Sequence, residues 1–191
     1  LIYMIFMQNP FKEKMLQADT AFIKVDYSAV ITELEGIAPA SLPNTQKYEL
    51  AFSYIQGLEF SSEQKKVILN NVTLKSDELY LTYWIQVGRN RFEEALDIAK
   101  RINDSDLILY ALTQEIKQVR EDGKLSGKDR ESKLNTLDSE YKKYWDSRSQ
   151  LLTSDSSSNA STSSSPSSQD KPSESKPSSE KKTSPSSSSS N

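Results

Sequence analysis

The sequence predicts an all-α fold of stacked antiparallel helix pairs, with a long C-terminal helix and a disordered Ser-rich tail. Three observations predict it. Apolar residues recur at helical spacing through the middle of the chain, no comparable run alternates with period two, and helix start and stop residues separate the apolar stripes. About 140 residues carry this pattern, which is enough for one domain with a substantial core.

Helical spacing places apolar residues three and four apart on one face of each helix. It appears in five stripes: Met15, Ala18, Phe22 and Val25; Tyr48, Ala51, Phe52 and Ile55; Tyr80, Tyr83, Trp84 and Val87; Phe92, Ala95, Leu96 and Ala99; Ile108, Ala111, Leu112, Ile116 and Val119. The predicted helices span residues 11–25, 27–36, 45–57, 62–71, 77–88, 91–102, 105–121 and 127–151.

Residues at the helix boundaries support these limits. Ser61 and Gln64 have the spacing of a capping box, and Ser126 and Asp129 open the last helix in a related way. Ser76 precedes two acids that suit the positive end of a helix dipole. Gly57, Gly88 and Gly123 lie where helices should end, and Pro39 and Pro43 bracket the longest internal loop.

The helices also repeat. Tyr54-Ile55-Gln56-Gly57 and Ile85-Gln86-Val87-Gly88 end their helices 31 residues apart, and Ile23-Lys24-Val25 lies another 31 residues upstream. A shorter helix follows each of the three: the third unit reads Gly88–Leu96 there, and the first has the related segment Asp26–Ile31. This pattern is similar to a degenerate tetratricopeptide (TPR) array of helix-turn-helix units. An irregular helical bundle with a coincidental echo is the alternative.

The last predicted helix carries an aromatic stripe. Leu134, Leu137, Tyr141 and Tyr144 follow heptad spacing, and Trp145 lies beside them. Two heptads are too few to indicate a coiled coil. The stripe either covers the open end of the helical array or contacts a second protomer, so Tyr141, Tyr144 and Trp145 are the candidate partner-contact residues.

Both ends of the chain differ from the middle. Residues 1–7 form an uninterrupted apolar run that stops before Pro10. We interpret residues 1–10 as the end of a transmembrane helix and its exit, because a full span needs roughly 20 residues. A buried N-terminal helix or strand is the alternative. The domain then covers residues 11–152.

Residues 153–191 form the predicted tail. Ser accounts for 20 of these 39 residues, four are Pro, and the acidic and basic side chains balance. Such a segment has too little apolar surface to offset the entropy lost on ordering, which predicts disorder. It is either a passive solvated tail or a wall-spanning or glycosylated stalk.

Composition excludes much chemistry. The chain has no Cys and no His, so it can form no disulfide, thiol nucleophile, Ser-His dyad or imidazole metal site. Its formal net charge of −3 gives no indication of nucleic-acid binding. No Gly-rich phosphate loop or EF-hand spacing is present. The acids Glu93, Glu94 and Asp97 are typical of a solvated helix face. We therefore predict no enzymatic activity, no catalytic residue, no metal site and no cofactor.

The segment from Ile68 to Ile85 nevertheless resembles a known family. With Gly88-Arg89, Phe92–Lys100, Asp106–Leu112 and the upstream Leu50–Ile55, it is similar to the C-terminal region of the EssB/YukC family of type VII secretion membrane proteins. The similarity covers roughly residues 8 to 150. Its most specific part is Asn70-Asn71-x-x-Leu74-Lys75-Ser76-Asp77-Glu78.

The resemblance implies an extracytoplasmic helical domain on a single-pass subunit in the cell membrane of a Gram-positive bacterium. It further implies a non-catalytic component, usually a homodimer, that works with a membrane ATPase and other membrane subunits to export small helical effectors. The long Ser-rich tail is not part of the family pattern. A soluble TPR-like adaptor that binds peptide segments in a concave groove is the alternative function.

Overall fold

A computed structural model describes residues 9–158, and within them it is helical without strands. Eight α-helices follow in order: α1 Pro10–Ile23, α2 Tyr27–Leu34, α3 Asn44–Gly57, α4 Ser62–Asn71, α5 Glu78–Gly88, α6 Phe92–Ile102, α7 Ser105–Glu121 and α8 Gly127–Ser158. A short 3₁₀ helix, Pro39–Ser41, lies in the loop before α3. The all-α prediction is confirmed. Residues 1–8 and 159–191, where the membrane stub and most of the tail were predicted, lie outside the described residues.

The local capping chemistry explains most of the helix limits. Ser61 and Gln64 form the predicted capping box, and Ser126 Oγ accepts from the Asp129 backbone N–H. The N-cap of α5 is Asp77 instead of Ser76, whose hydroxyl donates to the carbonyl of Asn71 at the end of α4. Helix α8 continues to Ser158, so Thr153–Ser158, predicted to belong to the tail, are helical. An existing helix adds residues more readily than a new one begins.

The helices stack in chain order, with one exception. Helix α3 packs on both α1 and α2, α6 packs on α5, α7 on α6, and α8 on α7. Helix α5, however, packs directly on α3 and passes over α4. Every residue of α4 is described, and none of its side chains is buried. The helix-pair stacking is therefore confirmed, with α4 held on the outside of the stack.

The core is apolar and rich in aromatic rings. The Tyr83 side chain is fully buried, and its hydroxyl donates to the Leu107 carbonyl at 2.8 Å. Trp84 is 3% exposed and has aromatic neighbours at centroid distances of 5.0–6.3 Å, namely Phe60, Tyr80, Tyr83 and Tyr110. Burial of this cluster joins α5 to α7 and to the loop before α4.

The turns that close the first and third helix pairs have the same geometry. Val25 and Asn90 both lie in the left-handed region, with φ of 62° and 56°. The two turns also share a hydrogen-bond pattern. The backbone N–H of Val25 or Asn90 donates to the carbonyl three residues earlier, and the N–H of the following residue donates to the carbonyl five residues before it. Asn tolerates this conformation, whereas β-branched Val is strained in it.

The shared turn corrects the predicted repeat register. It aligns Ile23 with Gly88, the last residues of α1 and α5, whereas the sequence spacing aligned Ile23 with Ile85. The sequence alignment of the first repeat with the third is thus wrong by one helical turn. Such a shift was not detectable from the apolar pattern, because residues one turn apart lie on the same face of a helix. The predicted equivalence of Gly57 and Gly88 as helix ends is confirmed.

Gly88 is required by packing. No glycine in residues 9–158 has a positive φ, so none of them ends a helix in the left-handed conformation. A Cβ at position 88 would lie 2.1 Å from Cγ of Tyr54 and 2.5 Å from its Cβ. A Cβ at Gly57 would meet nothing within 4 Å. Gly88 therefore lets α5 approach α3 closely.

This contrast gives a matched pair of variants. Gly88→Ala should lower the free energy of unfolding by at least 1–3 kcal/mol, which is about the cost of overpacking a core. The new methyl group would clash with Cβ and Cγ of Tyr54, and these atoms cannot move aside unless α3 moves. Gly57→Ala should leave it unchanged or raise it by up to about 1 kcal/mol. Urea denaturation followed by circular dichroism measures both. Equal effects at the two positions would contradict the packing role of Gly88.

Candidate interaction surface

Helix α8 closes the end of the stack with few apolar contacts and several charged ones. Leu137 is the α8 residue that is buried, at 5% exposure, among the side chains described. Among the described residues, four ion pairs hold the helix: Lys100 with Glu140 at 2.7 Å, Lys133 with Glu115 at 3.3 Å and with Glu93 at 4.0 Å, and Arg148 with Asp106 at 2.7 Å. Burial alone would lower the pKa of Lys100, but the hydrogen bond and charge of Glu140 outweigh it, and the pKa is raised.

The predicted aromatic stripe divides between two sides of α8. Tyr144 is half-buried and lies near Lys100 of α6. Tyr141 is half-buried on the other side, against α7. Trp145 is 47% exposed, and its ring stacks on Tyr141 with centroids 6.2 Å apart and planes 12° apart. The structure therefore brings Tyr141 and Trp145 together and separates Tyr144 from them.

A groove runs between α7 and α8 beside this aromatic pair. Its cavity measures about 470 Å³. The lining residues are Thr113, Ile116, Lys117, Arg120, Glu121, Asp138 and Tyr141. Ile116 and Tyr141 provide the apolar floor, and charged side chains form the rims. We call this feature the α7–α8 groove. The sequence does not reveal it, because helical spacing shows which face of a helix is apolar but not which neighbour covers it.

The acids on α6 remain on the surface, as their spacing predicted. Glu93, Glu94 and Asp97 are exposed, and Glu93 lies 4.0 Å from Lys133 of α8. Within residues 9–158, no group of three or more acidic side chains is placed to hold a metal ion, and no helix is long and apolar enough to span a membrane.

A buried polar cluster between α1 and α3 escaped the sequence analysis. Gln46 donates to the Asp19 carboxylate at 2.6 Å, and Glu49 is 6% exposed with one carboxylate oxygen unpartnered. Burial, and then the negative charge of Asp19, raises the pKa of Glu49 to about 7. The neighbouring Lys47, 5% exposed, pairs with Glu78 of α5. The three buried polar residues of α3 were missed because the spacing of apolar residues, which predicted the helix, gives no information on polar residues of the same face.

Comparison with known proteins identifies the family. Residues 1–147 match the family described as "WXG100 protein secretion system (Wss), protein YukC". The chain belongs to the YukC family. Among curated relatives, it is 32% identical over 143 residues to the ESX secretion system protein YukC of Bacillus subtilis strain 168, which covers 74% of the chain and 32% of that protein.

A second relative and a solved structure agree with this assignment. The chain is 31% identical over 156 residues to the type VII secretion system protein EssB of Staphylococcus aureus strain MRSA252, covering 80% of the chain and 33% of that protein. It thus spans about a third of these YukC-family relatives. The crystal structure of the Geobacillus thermodenitrificans EssB extracellular fragment matches with a TM-score of 0.71 and 40% identity, covering 78% of this chain and 98% of that one.

The Glu49 cluster makes folding stability depend on pH. Because the pKa of Glu49 is higher in the folded than in the unfolded state, its contribution is fully present below about pH 4.5 and is lost as the pH rises through about 7. The free energy of unfolding should fall by roughly 3 kcal/mol across this window (1.36 kcal/mol per unit of pKa). Urea denaturation at pH 5 and pH 8 measures the difference.

The control is an exposed glutamate. Glu49→Gln should remove most of this pH dependence, and Glu59→Gln should retain it, since Glu59 is exposed. A pH dependence that survives in Glu49→Gln would assign the effect to other groups.

Proposed function

We propose that this chain is the extracytoplasmic domain of a single-pass membrane subunit of a type VII secretion system, and that it acts there as an assembly scaffold. The likeness to the EssB extracellular fragment is the observation that carries the proposal, because it extends over nearly the whole of that fragment. Residues 1–10 would form the end of the membrane helix and its exit, and residues 153–191, of which Thr153–Ser158 continue α8, would include the Ser-rich tail.

The scaffold would work through surfaces. Its partners would be other membrane subunits of the machine, including its ATPase, and a second copy of the full-length protein. Together they would export small helical effectors. The stack favours such a role, because its helices present exposed faces of fixed geometry while Trp84 and Tyr83 hold the core.

The proposal assigns no chemistry to the domain. Charged side chains that form close ion pairs connect one helix of the stack to another. Lys47 pairs with Glu78, and Lys100 pairs with Glu140. The acids of α6, Glu93, Glu94 and Asp97, are exposed on the surface. A catalytic role would need a site that binds a substrate and positions reactive groups around it.

Labelling of a single cysteine tests the topology. Since the chain has no Cys, Asn135→Cys adds one thiol on an exposed position of α8. In intact cells that express the full-length protein, with any cysteine outside this chain replaced by Ser, a membrane-impermeant maleimide should label this thiol as fully as after lysis. A cytoplasmic cysteine protein in the same cells serves as the control for membrane integrity. Labelling only after lysis would contradict an extracytoplasmic location.

Export of a small helical effector tests the function. In a strain that lacks the full-length protein, a copy with Glu93→Gln, Glu94→Gln and Asp97→Asn should restore export, because exposed charges contribute little to folding. Trp84→Ala should lower the free energy of unfolding by about 3–5 kcal/mol and abolish export with the fold. Loss of export in a folded, assembled triple variant would return the acids to consideration as functional groups.

A further inference from the structure

The two flanks of α8 differ in how their charges are satisfied. On the flank that faces α6, Lys100 pairs with Glu140, and Lys133 lies within 4.0 Å of both Glu93 and Glu115. On the flank that forms the α7–α8 groove, three of the described charged side chains have no ion-pair partner. Among the described residues, Lys117 and Arg120 on the α7 rim and Asp138 on the α8 rim form no ion pair, and all three are exposed.

The position of the groove in the stack is equally distinctive. Helix α3 covers the first pair, α1 and α2, and α7 packs on α6 of the next. Within residues 9–158, no helix packs on α7 and α8 in this way, so the groove lies where a further helix of the array would pack. The outer face of a terminal repeat is normally polar. Here it carries Tyr141 and the half-exposed Trp145.

We infer that helices α7 and α8 of a second copy of this chain close the α7–α8 groove, with a two-fold axis running along it. This inference rests on the proposed function, which includes a homodimer, and gives that dimer a location. Rotation about such an axis places α7 of each copy opposite α8 of the other. Lys117 and Arg120 on the α7 rim, which also carries Glu121, then face Asp138 on the α8 rim of the partner.

The same arrangement places the aromatic pair, Tyr141 and Trp145, at the contact between the two copies. Trp145 projects beside a cavity whose floor is Ile116 and Tyr141, and the two-fold axis brings the partner's groove opposite to it. An exposed aromatic side chain beside an apolar hollow is typical of an anchor residue at an interface. Tyr144 lies on the α6 side of α8 and takes no part, so the inference narrows the predicted stripe to Tyr141 and Trp145.

The contact is small. Helix α7 has 17 residues and is roughly 25 Å long, so the groove offers an interface at the low end of those that hold proteins together. We therefore expect weak, concentration-dependent association of the 191-residue chain. Attachment of two copies to one membrane would raise their effective concentration and strengthen the contact.

Charge reversal tests the geometry. Sedimentation equilibrium of the full chain should show a dimer whose dissociation constant rises about tenfold or more in Lys117→Glu/Arg120→Glu, because like charges then face each other. Asp138→Lys alone should weaken the dimer in the same direction. The combined triple variant should restore association to within about threefold of the natural chain. Circular dichroism confirms that these surface changes leave the helices intact.

A mixed cross-link tests the same contact independently. Chains with Lys117→Cys and chains with Asp138→Cys, carrying tags of different size, are mixed and treated with a short bis-maleimide. The matched control replaces Asp138→Cys by Thr136→Cys, an exposed position two residues earlier and therefore on the opposite face of α8. The groove pair should cross-link several-fold more than the control pair.

Any of the following results would overturn the inference: a chain that stays monomeric at all accessible concentrations, a triple variant that associates no more strongly than the weaker of its parents, or equal cross-linking by the two Cys pairs. A dimer that forms elsewhere would also overturn it, yet would leave the proposed secretion role intact. Failure of the export assay would reject the secretion role and leave the groove contact to be judged by these measurements.

Discussion

The close approach of α3 and α5 determines the arrangement of the other helices. Gly88 has no side chain, so the Tyr54 ring lies directly on the backbone at the end of α5. The next residue, Arg89, then reaches the C-terminal end of α2, where its guanidinium donates to the carbonyls of Leu34 and Ile37 at 3.1 and 2.8 Å. Gly88 thus places the third helix pair against the second, Arg89 connects it to the first, and α4 is left outside.

The two ends of the stack are held by different forces. Between α1 and α7, burial of apolar and aromatic side chains supplies the main stabilisation, which is proportional to the area removed from water. Helix α8 buries much less and depends on ion pairs, of which Lys133 with the buried Glu115 is the most shielded from solvent. Exposed ion pairs weaken as salt rises, so attachment of α8 is more sensitive to ionic conditions than the rest of the fold.

The sequence predicted the helices well because their limits depend on local chemistry. The capping box at Ser61 and the cap at Ser126 act within one turn of the chain. Contacts between helices were less accessible. The 31-residue spacing misaligned the first repeat, since one helical turn of shift preserves the apolar face. The burial of Glu49 and the separation of Tyr144 from Trp145 depend on which helices are neighbours in space, and periodicity in one helix carries no information on that.

The order of packing along the stack has a kinetic consequence. Most helices contact the helix that precedes or follows them in the chain. The exception is the contact of α5 with α3, and these two helices are separated in the chain only by α4. Such a topology has low contact order, because few contacts join residues far apart in sequence, and proteins of this kind fold in microseconds to milliseconds. Each helix that docks completes a surface for the next. The domain can therefore assemble progressively as the chain is synthesised, without waiting for its C-terminal residues.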